Sequence, residues 1–297
     1  MSSTAVYTTL PECTAATLAL QRQPEIAVDI EGVNLCRNGI LSLLQIADPD
    51  TVHIFDITQL GAAAFSTGGL RALLESPNLK IIFDGRADND ALFYLHNVVM
   101  TNVLDLQVFH AFKFSEDSDR YVKGLERCLS DAAPLPGMDT SEMKAVKEKG
   151  KRLFAPVFGG SYDAWVSRPL PRDLIEYAAN DVKHLLSVKR KWTTSAVSHL
   201  DARLGSCLVE QVKIATAKRI KAAIDGAQEA RGAHMARRDF DLPPRVIPAS
   251  SLKRSRQGWY EENYQGFDSD FSNGYDDSDN NDNNYDDHDD KWDYDVW

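Results

Sequence analysis

Three short apolar runs, at residues 26–30, 40–47 and 52–57, are separated only by brief polar stretches, the last two by turns Arg37-Asn38-Gly39 and Asp48-Pro49-Asp50. Connections this short suit antiparallel neighbours and leave no room for a crossover helix. The pattern then changes. A short helix is predicted at 70–75, a strand at 80–83, a helix at 88–96 and a strand at 103–104, followed by helices at 106–114, 122–129, 141–151 and 172–192. A meander followed by strand–helix alternation predicts an α/β fold, a mixed sheet flanked by helices on both faces.

Net charge bears on the class of partner. The chain carries −11 overall, which argues against a phosphate backbone as a ligand. That charge is unevenly placed. Residues 261–297 hold 14 acidic residues against the single basic Lys291, whereas residues 211–256 hold 11 basic against 4 acidic. The total therefore describes a tail, and the rest of the chain is open to nucleic acid. The chain is expected to divide into a globular domain over 1–195, a helical extension over 196–232 and a disordered, low-complexity acidic tail over 233–297. A hydrophobic share of 43% supports a sizeable core for the first of these. No secretory signal is expected from MSSTAVYTTLPEC, and no apolar run is long enough to span a membrane. Cys13, Cys36, Cys128 and Cys207 form no CxxC pair, so isolated thiols are expected rather than zinc or disulfides.

Three segments place acids where apolar residues would be cheaper. In Ile26-Ala27-Val28-Asp29-Ile30-Glu31-Gly32, strand alternation turns Asp29 and Glu31 to one face. Two carboxylates at a buried strand end need a cation, for which Mg²⁺ or Mn²⁺ is the simplest choice, or a strand end already in solvent. Gly32 is read as leaving the backbone open beside them. In Phe83-Asp84-Gly85-Arg86-Ala87-Asp88-Asn89-Asp90, three acids cluster where a strand passes into a helix, and capping explains at least one. In the helix over 172–192, Tyr177 and Asp181 stand four residues apart beside the stripe of Leu174, Ala178, Leu185 and Val188. A tyrosine satisfied by a nearby acid accounts for that pair equally well.

Taken in order, Asp-x-Glu on the first strand, an acid opening the helix after the fourth and Tyr-x-x-x-Asp on the last helix resemble the DEDDy group of 3′-5′ exonucleases, in its RNase D-like branch. Residues 39–47 (GILSLLQIA), the Asp-Gly-Arg-Ala-Asp of 84–88 and 102–107 (NVLDLQ) match that branch as well. The resemblance covers roughly residues 24–192. It implies a ribonuclease H-like fold and phosphodiester hydrolysis with two Mg²⁺ or Mn²⁺ ions. The ligands it implies are Asp29, Glu31, Asp88 and Asp181, with Tyr177 orienting the attacking water. Family spacing favours Asp88 over Asp84 and Asp90. Phe83 stands where the family often has His. Asp105 is read as a helix cap, and His53, His96, His110 and His184 as structural.

The implied substrate is the 3′ end of a single strand, RNA or DNA, with RNA favoured. Val33, Asn34 and Leu35 are placed to touch the last base, and Lys144, Lys147, Lys149, Lys151 and Arg152 either track the backbone or form a solvated face. An exonuclease-fold RNA-binding scaffold in small-RNA processing is the alternative, disfavoured because all four carboxylates and the tyrosine are present. The acidic tail solubilises, recruits a basic partner or folds back on residues 211–256. The chain is expected to be intracellular, in nucleus or cytoplasm.

Overall fold

The computed structural model describes residues 3–115, 119–199, 202–226 and 237–242, with side chains omitted at 195–199 and 202–207. Most of the segment read as a tail, the acidic run included, lies outside the described residues. The elements run β1 (Ser3–Tyr7), α1 (Leu10–Leu20), β2 (Glu25–Val33), β3 (Ile40–Ala47), β4 (Thr51–Asp56), α2 (Ile57–Leu60), α3 (Leu70–Leu74), β5 (Leu79–Ile82), α4 (Arg86–His96), β6 (Val103–Asp105), α5 (Leu106–Phe114), α6 (Leu125–Ala132), α7 (Thr140–Phe154), α8 (Arg172–Val182), α9 (Leu185–His199) and α10 (Ala202–Asp225). No described helix is long and apolar enough to cross a membrane.

The strands form one mixed sheet in the order β1-β4-β3-β2-β5-β6. The expected meander is present: β2, β3 and β4 pair antiparallel, while β5 and β6 continue parallel to β2. Strand alternation divides the core in two. Ile26, Val28, Ile30, Leu44 and Ile46 face a cluster with Leu20, Leu70, Leu73 and Leu92. Ala27, Leu43, Ala47, Ile54 and Ile81 face the cluster beneath α5 to α9. Asp29 and Glu31 share the pleat of Ala27 and therefore point beneath α8.

Several elements depart from the sequence reading. The predicted 172–192 helix breaks at Lys183 and His184, so that α8 covers β2, β3 and β4 while α9 covers β2 and β5. One straight axis could not lie over both halves of a twisted sheet. The helix predicted at 122–129 runs from Leu125 to Ala132. β1 and α1 carry no strong pattern: β1 is a mostly exposed edge strand pairing only with β4, and the buried side of α1 is Cys13, Ala16, Thr17 and Leu20. Small and polar residues hid that stripe.

α10 is part of the same packing. It lies against α4, α5 and β6, and buries Val212 in one core and Ile220 in the other. Cys13, Cys36 and Cys128 are buried free thiols.

Candidate active site

The structure brings Asp29, Glu31 and Asp181 together. One carboxylate oxygen from each lies within 4.8 Å of the others. β2 supplies the first two from one face, and α8, packed over β2, supplies the third. The strand is bulged between Glu31 and Gly32. Gly32 does not leave open space, as the sequence reading had it: a Cβ there would run into the Ile40 carbonyl oxygen and lie 3.3 Å from Leu35 Cδ1. Its role is close approach of two backbones, which re-aims the strand end beside Glu31.

Asp88 stands outside that tight group, buried on the first turn of α4. Burial raises its pKa well above the usual carboxylate range, and the charges of Asp29, Asp84 and Glu31 raise it further. The three acids of this segment are sorted by their partners. Asp84, with φ +50°, is bound by Arg86 at 2.6 and 2.7 Å. Burial pushes its carboxyl up, but Arg219 and Arg86 outweigh it and hold the pKa low. Asp90 is wholly buried and bound by Arg37 at 2.6 Å. Among the described residues no cation pairs with Asp88. Asp105 caps α5 through Gln107 N at 2.8 Å, as its position predicted, and also accepts from Asp84 N and Arg219.

Partial burial, and then the charge of Asp181, pushes Asp29 up to about 8, with Lys147 opposing. Burial likewise raises Asp181, with Lys147 and Lys151 opposing. Crowded acids whose charged forms are disfavoured are a candidate site for a cation, which would offset their charge. One more group fits. Gln45 is fully buried directly opposite Asp29 in the β2–β3 register, and neither its amide nitrogen nor its oxygen has a partner among the described residues. An unsatisfied buried amide costs about 1–3 kcal/mol. Its place beside Asp29 makes water or hydrated metal at the site the natural partner. Hard oxygen donors of this kind suit Mg²⁺ or Mn²⁺.

Tyr177 is 6% exposed, and its ring meets Phe154 and Trp165 edge-on at centroid distances of 5.1 and 5.9 Å. α7 crosses it at Gly150, where a Cβ would lie 2.5 Å from Tyr177 Cδ2 and 2.7 Å from its Cβ. Gly150→Ala is therefore expected to shift Tyr177 or α7, costing about 1–3 kcal/mol. Urea unfolding should show that loss, and nuclease turnover should fall with it.

Lys147, Gly150 and Gln45 were missed as site residues. The sequence showed Lys147 within a basic helix, without marking it off from its neighbours. Its spacing with Met143, Gly150, Lys151 and Phe154 traces the face of α7 that meets α8, which was the available signal. Gln45 was visible as the one polar residue on its face of an apolar strand, between Leu43 and Ala47. Of the base-contact residues, Asn34 is exposed with φ +48°, Val33 packs with the core beneath α8, and Leu35 packs with the opposite core. His53 bonds Tyr7 and Asp48, and His110 bonds Asp131.

A family model described as 3′-5′ exonuclease matches residues 5–195. The chain is 32% identical over 181 residues to the piRNA biogenesis protein EXD1 of Mus musculus, covering 59% of this chain and 30% of that protein. It is 30% identical over 176 residues to EXD1 of Homo sapiens, covering 59% and 33%. The chain thus spans about a third of the length of these curated relatives. The crystal structure of Trypanosoma brucei RNase D in complex with RNA U12 superposes with a TM-score of 0.60 at 26% identity, covering 85% of this chain and 79% of that one. Over the helix-flanked mixed sheet and the acids it carries, the chain belongs to the 3′-5′ exonuclease family and has an RNase D-like domain.

Proposed function

We propose that this protein removes nucleotides from the 3′ end of single-stranded nucleic acid, RNA rather than DNA, in a reaction dependent on two divalent cations. The convergence of Asp29, Glu31 and Asp181 oxygens within 4.8 Å carries this reading. Asp88, the one acid of its segment with no pairing cation among the described residues, completes the set. Bound Mg²⁺ or Mn²⁺ would supply Lewis-acid activation of water and stabilisation of the leaving oxygen. The chain's own residues do the rest. Asp29, Glu31, Asp88 and Asp181 would hold the ions and offset their charge. Tyr177, fixed between Phe154, Trp165 and α7, presents its phenol to the attacking water, so that geometry rather than acidity is its contribution. Val33, Asn34 and Leu35 sit at the end of β2 for the terminal base, and an RNA substrate agrees with a place in nucleus or cytoplasm.

The test is degradation of 3′- and 5′-labelled single-stranded RNA and DNA with Mg²⁺, with Mn²⁺ and with EDTA. A metal-dependent ladder receding from the 3′ end is expected on RNA. Intact substrate under every condition would sink the proposal. It would leave the second reading, an RNA-binding scaffold in small-RNA processing, which the likeness to EXD1 supports.

Lys144, Lys149 and Arg152 are exposed on α7, away from Tyr177. If they track the phosphate backbone, changing all three to Ala lowers the salt slope of RNA binding by about 2, at roughly 0.7 per single-strand contact. Filter binding across a salt series measures this. An unchanged slope identifies a solvated face, and the acidic 261–297 run then becomes the better place to look for control of binding through a basic partner.

A further inference from the structure

One cation already sits among these carboxylates. Lys147 reaches from α7 and its Nζ forms an ion pair with Asp181 Oδ1, while lying 3.6 Å from the centroid of the Tyr177 ring. Its position is set by the backbone. α7 is clamped on α8 by the Gly150–Tyr177 approach and by Asn180 Nδ2 donating to the Met143 carbonyl at 3.3 Å. The ammonium itself is less constrained, because the Lys147 side chain is 24% exposed at the end of a flexible stem. It joins the cluster through Asp181, one of the three acids whose carboxylate oxygens lie within 4.8 Å of one another.

We propose that Lys147 is a built-in counter-ion that competes with a divalent cation for Asp181. The ammonium keeps the like-charged carboxylates assembled, and it must swing out along its stem before a metal ion can engage Asp181. An ammonium and a divalent cation held at the same carboxylate repel each other, so binding of one weakens the other. Lys147 therefore lowers metal affinity while stabilising the cluster without metal. The inference rests on the metal-dependent reading above, and concerns one residue of it.

The test uses the full chain and Mn²⁺ as the probe. By calorimetric titration, Lys147→Met, which keeps the stem and removes the charge, is expected to bind Mn²⁺ about tenfold more tightly than wild type. Lys147→Arg, which keeps the charge, is expected to stay near wild type. A second measurement needs no variant. Amine acetylation of the wild-type protein, read by peptide mass spectrometry, should find Lys147 protected in EDTA and labelled severalfold faster in saturating Mn²⁺, with Lys144 and Lys149 as exposed internal standards. Equal or weaker Mn²⁺ binding by Lys147→Met overturns the proposal, as does tightening in both variants alike, or Lys147 labelling that Mn²⁺ does not change. Wild type that binds no Mn²⁺ at all overturns the metal-dependent reading together with it. Wild type that binds Mn²⁺ with Lys147 indifferent overturns this inference alone.

Discussion

Asp29→Asn is expected to lose metal-dependent 3′ degradation by about 10³-fold, the scale on which removal of a preorganised electrostatic contact is felt, and yet to fold more stably than wild type in EDTA. Both effects come from one charge. Asp29 shares its oxygen cluster with Glu31 and Asp181, so an amide there removes a negative charge from the group. Without metal that same charge is a liability, since partial burial and Asp181 drive its pKa up to about 8. The carboxyl holds its proton more tightly folded than unfolded. Its contribution is therefore fully favourable at low pH and is lost as pH rises from the ordinary value of 3.8 through about 8. Asp88 and Asp181, also raised, add to the same slope. Urea midpoints in EDTA should fall across that range for wild type and fall less for Asp29→Asn. At pH 8 the variant should be the more stable by about 2 kcal/mol, the scale of a poorly satisfied polar group whose charge Lys147 offsets only in part. Saturating Mn²⁺ should reverse the order, because only wild type gains from binding it. A variant that is inactive and also less stable in EDTA would show that Asp29 supports the fold rather than straining it.

The second large effect lies away from the acids that converge. The Arg219 side chain on α10 is 1% exposed and binds Asp105 at 3.0 Å, Asp239 at 2.8 Å and Asp84 at 3.5 Å. Arg86 joins the same network through Asp84 and Asp239. Arg219→Met is expected to cost about 3–5 kcal/mol, because it strands Asp105 as a buried unpaired charge. The thermal midpoint should fall by roughly 10 °C for a domain of this size. Adding Asp105→Asn should restore part of the loss, since the double variant no longer buries an orphaned carboxylate. A loss below about 1 kcal/mol would mean that the network exchanges its partners for water at no cost. A second tie has the same logic: Arg37, beside the β2–β3 turn, binds Asp90 and also the Ile224 carbonyl of α10 at 3.0 Å.

How much of this was legible beforehand differs residue by residue. Asp29 and Glu31 were placed on one face by alternation alone, because a period of two leaves no other arrangement in a strand. Tyr177 and Asp181 were paired by helical spacing for the same reason. Choosing Asp88 from three neighbouring acids needed the family spacing, and the structure supplies a physical ground for it: Arg86 and Arg219 take Asp84, and Arg37 takes Asp90. Arg86 stands two residues from Asp84, but Arg37 lies 53 residues from Asp90 and Arg219 lies 135 from Asp84, and no local pattern announces those two. Lys147 was the hardest to separate. It is one of several basic residues on α7, and only the close crossing at Gly150 directs it, rather than Lys144 or Lys149, onto Asp181.

Periodicity along the chain was enough for the order of the strands from β2 onward, for the mixed sheet and for the face on which the carboxylates stand, because it is a property of neighbours in sequence. The sequence also revealed that the −11 charge belongs largely to a terminal run and says little about the domain that carries the acids. Packing in three dimensions settles which cation meets which acid, that α10 closes the core rather than trailing from it, and that Gly32 and Gly150 are glycines because another backbone or ring occupies the place of a side chain. Those are contacts between residues distant in sequence, set by how helices cross a twisted sheet, and one chain read in order holds no record of where such crossings fall.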